Sequence, residues 1–296
     1  FDKPIGWSSN QAVQAVKRAY RAERAGHTGT LDPLATGLLP VCLGEATKFS
    51  SGLLDADKEY VADVRFGITT ATGDAEGPVL AERPVAVSDA ALAAALARFR
   101  GEIEQVPPMY SALKRDGRPL YDYARAGEEV ERAPRRVTIL ALELLGRDPV
   151  SARLRVACSK GTYIRVLAED LGRALGCGAH LAGLRRTRVG SLLVAEAVRP
   201  AALEGVADDA LDRLLAPADA LVANLAAVRL ASGLEARFTS GQAVRGAPPE
   251  PGLVRVYGAS GTFLGLGEGL PDGTVQPRRV ALGAAPENLA KDPDSK

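Results

Sequence analysis

The most informative stretch of the chain is GHTGTLDPLATG, which spans residues 26–37. Its three glycines predict a loop, because glycine permits tight backbone conformations and close approach of a ligand. Asp32 lies between Leu31 and Pro33, so its carboxylate can project from this loop into a cleft. An ionised aspartate can act as a covalent nucleophile or a base, but Asp-Pro is also a common turn element. The local sequence therefore leaves a catalytic and a structural role open.

Periodic patterns on both sides of this loop predict an α+β domain. Apolar residues at Ala12, Val13 and Val16 recur at helical spacing after a serine cap, which predicts a helix over residues 9–24. A short buried strand or turn is expected over residues 38–43, and residues 69–77 and 106–119 are expected to be irregular. The other predicted strands are residues 60–66, 137–145 and 152–159, and the other predicted helices are residues 88–99, 120–126, 163–175 and 208–215.

The composition changes after about Leu221, where short extended runs are separated by glycines. This pattern predicts a small β-barrel that follows the α+β domain. We therefore expect a first domain over residues 1–224, a second over residues 225–285 and a disordered polar tail over residues 286–296. The extended runs are residues 228–230, 253–257, 262–267 and 274–280.

The bulk composition is that of an ordinary globular protein, with 46% hydrophobic and 25% charged residues. Nothing in it predicts a membrane span, a secretion signal or a fibrous chain. The three cysteines are few and widely spaced, which favours a reducing cytoplasm over a disulfide framework. His27 and His180 are the only histidines and no Cys-x-x-Cys pair occurs, so we expect no metal site.

Basic residues cluster locally although the net charge is only +1. The overall charge gives no support to nucleic-acid binding, and each cluster taken alone is typical of a solvated surface. Three clusters are nevertheless candidates for contact with phosphate: Lys17 with Arg18, Arg21 and Arg24; Lys114 with Arg115 and Arg118; and Arg185 with Arg186 and Arg188.

Further motifs occur along nearly the whole chain. In sequence order they are DKPIGWSS at 2–9, LPVCLGEATK at 39–48, KEY at 58–60, VPPMYSALK at 106–114, LYDYAR at 120–125, CSKGTYIR at 158–165 and HLAGLRR at 180–186. Together with the loop, these motifs resemble the TruB family of pseudouridine synthases, and they occur in that family's order. Residues 253–256 and 277–280 resemble the PUA domain, an RNA-binding module that ends such enzymes.

The resemblance implies an isomerase that converts uridine 55 in the T loop of tRNA to pseudouridine. Such a protein has a pseudouridine synthase domain with a mixed or antiparallel sheet, followed by a PUA-like β-barrel. The implied partner is the T-stem-loop of tRNA, with no cofactor, metal, membrane or protein partner, and the expected form is a cytoplasmic monomer. The protein is also expected to be able to assist tRNA folding.

The resemblance also implies roles for individual residues. Asp32 is the nucleophile, and Arg165 pairs with it, keeps it charged and orients it. Tyr60 stacks on the flipped uracil and takes a proton from its C5 atom. His27 fills the gap that the flipped base leaves, and Leu184 packs beside the uracil.

Other residues are expected to support the site or bind RNA. Lys3 supports the active-site loop from behind. Lys114, Arg115 and Arg118 bind RNA phosphates, which orients the RNA without reading its sequence. Arg185 and Arg186 are expected to serve in the same way. A surface lysine or arginine remains the competing interpretation for each of them.

One departure from the family pattern lies at TATGD, residues 70–74, where the first of two usual acids is absent and Asp74 remains.

Two other classes of protein are also considered. A non-catalytic RNA-binding or RNA-folding protein could use the same scaffold, but it would not need Asp32, Tyr60 and Arg165. A glycosidic hydrolase would need two acids about 5–10 Å apart, and Asp74 is the only second acid available to that hypothesis.

Overall fold

The structure is a computed structural model, and it describes residues 1–281, of which residue 208 is described by its backbone alone. The chain divides into two compact units. The first comprises Phe1–Gly44 and Ser50–Leu215, and the second comprises Glu45–Phe49 and, among the described residues, 216–281. The tail predicted over residues 286–296 lies outside the described residues. No helix in the described part is long and apolar enough to cross a membrane.

The first unit contains fourteen strands and six α-helices among its described residues. The strands are β1 (Asp2–Lys3), β2 (Ala25–His27), β3 (Ala35–Leu38), β4 (Val41–Leu43), β5 (Lys58–Phe66), β6 (Ile68–Thr70), β7 (Val79–Glu82), β8 (Gly101–Gln105), β9 (Lys114–Arg115), β10 (Arg118–Pro119), β11 (Arg135–Asp148), β12 (Ser151–Cys158), β13 (Ala179–Val189) and β14 (Leu192–Leu193). The helices are α1 (Ser9–Ala19), α2 (Ser51–Leu54), α3 (Asp89–Arg98), α4 (Leu120–Arg125), α5 (Ile164–Ala174) and α6 (Asp208–Asp212). Short 3-10 helices cover Val194–Glu196 and Pro200–Leu203.

An eight-stranded mixed sheet forms the centre of the first unit. Its order is β1-β3-β13-β5-β12-β11-β8, with β14 paired to β13. Strands β3 and β13 run parallel, and the other neighbours are antiparallel. The predicted α+β class with a mixed sheet is therefore confirmed.

Strand β5 alternates strictly between buried and half-buried positions, as expected of a strand with one face on the core. Tyr60, Ala62, Val64 and Phe66 point inward and join the main hydrophobic core. Because β13 and β12 flank this strand, the side chains that β13 directs to the same face come close to Tyr60.

Two helices position the site: α1 packs against β2 and β4, and α5 packs against β13 and β5 of the central sheet. Helix α1 begins at a capping box in which the Ser8 hydroxyl accepts a hydrogen bond from the Gln11 amide, and the Gln11 side chain accepts one from the Ser8 amide. Helix α5 buries Leu167 and Leu171, one turn apart, against the core. The second residue of α5 is Arg165, so packing of the helix also orients this side chain.

The second unit is organised around a five-stranded sheet with its own hydrophobic core. The order is β15-β17-β18-β19-β16, and β15 pairs with β17 in parallel. These strands are β15 (Ala226–Arg229), β16 (Val244–Arg245), β17 (Gly252–Tyr257), β18 (Phe263–Gly269) and β19 (Thr274–Val280), with helix α7 (Glu235–Thr239) and 3-10 helices at Gly44–Phe49 and Ala218–Val222. This is the small β-rich unit that the sequence predicts, built as a half-barrel.

Several local predictions were wrong. Helix α1 ends at Ala19 rather than at residue 24, because Tyr20 caps it and Arg21 adopts a positive φ of 47°. The predicted loop over residues 26–37 begins and ends in strands, since β2 pairs with β4 and β3 with β13. A hairpin of β9 and β10 lies within the segment predicted to be irregular. Its turn residues Asp116 and Gly117 both have positive φ, which suits a tight hairpin turn.

Candidate active site

Asp32 occupies a short loop that is anchored at both ends. The Ser9 hydroxyl at the start of α1 donates to the Leu31 carbonyl at 2.9 Å and accepts from the Leu31 amide at 2.8 Å. Leu31 is buried, whereas 44% of the Asp32 side chain is exposed. Leu31 therefore anchors the loop in the core, and the neighbouring carboxylate is left facing a cavity.

Arg165 lies beside Asp32 and is almost fully enclosed. Its Nη2 atom is 3.1 Å from an Asp32 carboxylate oxygen and donates to the Tyr110 carbonyl at 2.6 Å. Its Nη1 atom donates to the Thr72 carbonyl at 2.9 Å and lies 3.5 Å from an Asp74 oxygen. The guanidinium is therefore held by two carboxylates and two carbonyl groups, and it has little freedom to turn away from Asp32.

Asp74 differs from Asp32 because it is buried, with 5% of its side chain exposed. One carboxylate oxygen accepts from the Thr72 hydroxyl at 2.5 Å and from the Glu76 amide at 3.1 Å, and the other faces Arg165. The arrangement holds Asp74 as a fixed counter-charge for Arg165 and leaves Asp32 as the accessible carboxylate.

The cavity in front of Asp32 has a volume of about 160 Å³. Its wall brings together four predicted residues, which are Asp32, Arg165, Tyr60 and Leu184. Leu184 pairs with Ala62 on the neighbouring strand, two positions from Tyr60, so both side chains reach the cavity from the central sheet. The remaining lining residues are Thr30, Leu31, Tyr110, Ser111, Ala112, Thr162, Tyr163 and Ile164.

Tyr60 is buried, and its side chain interacts with Arg186 on the adjacent strand. Burial raises the pKa of the Tyr60 phenol, and the charge of Arg186 acts in the opposite direction. The tyrosine therefore presents its ring to the cavity while its oxygen is held against a cation.

His27 is half-buried at the end of β2, and it does not line the cavity. Burial, and secondarily the charge of Arg186, lower the pKa of His27 below its usual value. The ring is therefore neutral at pH 7. Its Nδ1 atom is buried and has no hydrogen-bond partner among the described residues.

Lys3 lies beneath the loop that carries Asp32, fully buried. Its ammonium donates to the carbonyl oxygens of Trp7 at 2.5 Å, Pro4 at 3.1 Å and Pro33 at 3.5 Å. Burial lowers the pKa of Lys3 to about 8, although Asp32 and Glu76 partly offset this effect. The lysine thus joins the N-terminal segment to the residue that follows Asp32.

The two arginines of the HLAGLRR motif are not arranged as the sequence analysis expected. The prediction that Arg186 contacts RNA phosphate was wrong, because its side chain is 1% exposed and donates to backbone carbonyls inside the protein. Arg185 is half-buried on the opposite face of β13, where it forms a two-pronged ion pair with Asp2 at 2.9 and 3.0 Å.

The basic hairpin, which we define as Lys114–Pro119, carries the other predicted phosphate contacts. Lys114 and Arg115 are exposed. Arg118 lies over the ring of Tyr123 at 4.2 Å and donates to the Asp122 carbonyl at 2.7 Å. None of the three lines the cavity in the described part of the chain.

Sequence reasoning missed some of the residues that the structure brings to this site. Asp74 was considered only as the second acid of a hydrolase, yet it is the buried partner of Arg165. Tyr110 and Tyr163 line the cavity, and their positions within the VPPMYSALK and CSKGTYIR motifs were the available signal. Arg186 was assigned to the surface because an arginine-rich run gives no indication of which side chain points inward.

Comparison with known proteins agrees with this architecture. The model of the TruB family pseudouridylate synthase N-terminal domain matches residues 17–164. A tRNA pseudouridylate synthase B C-terminal domain model matches residues 165–223, and a pseudouridine synthase II TruB C-terminal model matches residues 226–281.

Curated relatives extend the similarity over most of the chain. The tRNA pseudouridine synthase B of Cupriavidus metallidurans is 57% identical, covering 95% of this chain and 92% of the relative. That of Ralstonia nicotianae is 58% identical with the same coverage. Among solved structures, a Cbf5-Nop10-Gar1 complex contains a chain with 28% identity and a TM-score of 0.72, covering 94% of this chain and 83% of that one.

The loop with its exposed aspartate, the enclosed arginine and the tyrosine from the central strand thus occur in a chain that matches one family from residue 17 to residue 281. This protein belongs to the TruB family of pseudouridylate synthases.

Proposed function

We propose that the protein isomerises uridine 55 in the T loop of tRNA to pseudouridine, with Asp32 as the nucleophile. The observation that carries the proposal is the ion pair of the half-exposed Asp32 with the enclosed Arg165 at the wall of the cavity. Relatives more than 55% identical over nearly the whole chain are tRNA pseudouridine synthases, which supports tRNA as the substrate.

The uridine is extruded from the T loop into the cavity before the chemistry. Extrusion costs a few kcal/mol of unstacking, which contacts in the receiving pocket must offset. Tyr60 offers an aromatic ring and Leu184 an apolar side chain to the extruded base. His27 lies just before the loop and supplies a neutral ring for the space that the base leaves.

Asp32 acts while the uracil is detached from its ribose, turned and rejoined through C5. Its carboxylate attacks C1′ or the uracil ring, or assists loss of a ribose proton, and Arg165 stabilises its charge and fixes its direction. Because the arginine is also bound by Asp74 and two carbonyls, little reorganisation is needed when the substrate arrives. Tyr60 takes the C5 proton at the end.

Two further expectations belong to this proposal. The basic hairpin binds phosphates of the T stem, since Lys114 and Arg115 are exposed, and Arg185 contributes from the edge of β13. The enzyme works as a monomer without a protein partner or cofactor and also helps tRNA to fold.

The hydrolase alternative is disfavoured, because Asp74 is buried and bound on both oxygens and cannot deliver a proton to a substrate.

The experiment that tests the proposal is mapping of the product in a T-arm RNA. The purified protein is incubated with a wild-type T arm and with a variant whose uridine 55 is replaced by cytidine, and pseudouridine is located by chemical probing and mass spectrometry. We expect pseudouridine at position 55 of the first RNA and none in the second. Pseudouridine elsewhere would contradict the position, and tight binding without any product would favour a purely RNA-binding protein.

A further inference from the structure

Arg186 is a fully buried cation that binds the segment on both sides of Asp32. Its Nε atom donates to the Leu38 carbonyl at 2.7 Å and its Nη2 atom to the Gly29 carbonyl at 3.0 Å. The Nη1 atom lies 3.5 Å from the Thr30 carbonyl. One side chain of β13 thus ties together the two ends of the loop from which Asp32 projects.

The same guanidinium also reaches Tyr60. Arg186 and Tyr60 are direct partners in the antiparallel pairing of β13 and β5, so their side chains lie side by side on the same face of the sheet. The charge of Arg186 favours the ionised form of the phenol. Among the described residues, no carboxylate forms an ion pair with Arg186, whose hydrogen bonds run to backbone carbonyls. Arg165, by contrast, faces two carboxylates.

A buried arginine without a carboxylate partner makes an unfavourable contribution to the stability of the fold. Removing a cation from water is strongly unfavourable, and backbone carbonyls offset this only in part. The backbone of Arg186 also approaches the loop so closely that residue 37 must be glycine. Gly37 has a φ of 99°, and a Cβ atom there would lie 2.3 Å from the Arg186 carbonyl oxygen. A core that served stability alone would be simpler with an apolar residue in place of Arg186.

We propose that Arg186 is a positioning residue that holds the Asp32 loop against the central sheet and orients the Tyr60 oxygen to accept the C5 proton. The proposal rests on the proposed function, because it assigns Arg186 a part in that reaction. The charge of Arg186 beside Tyr60 stabilises negative charge that develops on the phenol oxygen during the proton transfer.

The proton transfer concerned is the last step of the isomerisation. The C5–H bond of the rejoined uracil breaks, and its proton passes to the Tyr60 oxygen as the phenol releases its own proton to water. The electron pair of that bond forms the C5=C6 double bond, and the pair of the C6=N1 bond moves to N1, which takes a proton from solvent. No oxidant or second substrate is required.

The test compares Arg186→Gln with the wild-type enzyme on T-arm RNA that carries hydrogen or deuterium at C5 of the target uridine. Slower proton removal should reduce kcat on the order of 100-fold, with KM nearly unchanged, and should produce a deuterium isotope effect that is small in the wild type. Arg153→Gln is the matched control, because Arg153 pairs with Asp63 on the exposed face of the same sheet. It should leave both the rate and the isotope effect unchanged.

A double-mutant cycle with Tyr60→Phe separates positioning from a general loss of structure. If Arg186 acts mainly through the Tyr60 oxygen, Arg186→Gln should cost about 100-fold with Tyr60 present and less than about 10-fold with phenylalanine there. Equal losses in both backgrounds, or an unchanged isotope effect, would overturn the proposal.

A second variant, Arg186→Lys, covers the case in which Arg186→Gln does not fold. The lysine keeps the charge but cannot bond the loop and Tyr60 together. It should show a smaller loss with the same rise in the isotope effect, and a lysine enzyme with wild-type rate and isotope effect would overturn the proposal. A wild-type enzyme that forms no pseudouridine would instead refute the proposed function, so the two failures can be distinguished.

Discussion

The cavity and the basic hairpin both use arginine, but the arginine is enclosed at the cavity and exposed on the hairpin. Arg165 at the cavity is 8% exposed and faces two carboxylates and two carbonyls. Arg115 on the hairpin is 49% exposed, with one carbonyl contact at 2.7 Å and a neighbouring carboxylate at 3.9 Å. The first arginine has a single geometry available, whereas the second can move to meet a partner.

We expect this difference to separate the chemistry of the reaction from binding of the RNA within one molecule. Positioning of reacting groups needs enclosed, over-determined side chains, because a displacement of about 1 Å can cost 100-fold in rate. Contact with phosphate needs only charge within reach, and it carries no sequence information. Substitutions at the cavity should therefore change kcat, and substitutions on the hairpin should change affinity.

The largest contrast should come from making the same change in both regions. Arg165→Lys should lower kcat about 100-fold, since one ammonium cannot bridge Asp32, Asp74 and two carbonyls. Arg115→Lys should change kcat and KM less than about twofold, because a phosphate accepts either cation. Single-turnover and steady-state rates on T-arm RNA measure both. A comparable kcat loss in the two variants would break the comparison.

An intermediate effect is expected from pH, through Lys3. Its pKa is lowered to about 8 by burial, so its charge is present below that pH and lost above it. The ammonium then no longer donates three hydrogen bonds to Trp7, Pro4 and Pro33, and kcat should fall as pH rises through about 8. Lys3→Met should have a lower kcat at every pH and should not show this fall of kcat through about pH 8. The same fall of kcat in Lys3→Met would show that another group titrates.

The smallest effect per residue should come from the hairpin charges. Replacing Lys114 and Arg115 with glutamine should weaken binding of T-arm RNA several-fold and leave the rate in the bound complex unchanged. Each lost phosphate contact should reduce the slope of log affinity against log salt by about 0.7–0.9. Fluorescence anisotropy from about 50 to 200 mM salt gives the slope. An unchanged slope would show that this hairpin does not touch phosphate.

The sequence predicted the main elements because their patterns are local. The alternation in β5 and the helical spacing in α1 and α5 are visible without tertiary information. The strands β2 and β3 were missed because they are short and exist only through pairing with distant strands. The β9–β10 hairpin was missed although Asp116-Gly117 is a recognised turn signal.

The residues of the site were predicted by resemblance, and their relations came from the structure. Asp32, Arg165, Tyr60 and Leu184 meet at one cavity. The structure also shows which of the two adjacent arginines is buried. Adjacent residues on a strand face opposite sides, so Arg185 pairs with Asp2 while Arg186 enters the core. No pattern within the run of arginines could distinguish them, because the register of β13 against β5 is set by contacts far away in sequence.

The most direct test of the central claim is release of tritium from C5 of the target uridine in a T-arm RNA, comparing the wild-type enzyme with Asp32→Asn. The asparagine keeps the shape and removes the charge that faces Arg165. We expect stoichiometric release by the wild type, none above background for Asp32→Asn, and retained RNA binding by both. Release by the variant at a rate near that of the wild type would contradict the assignment of Asp32 as the nucleophile.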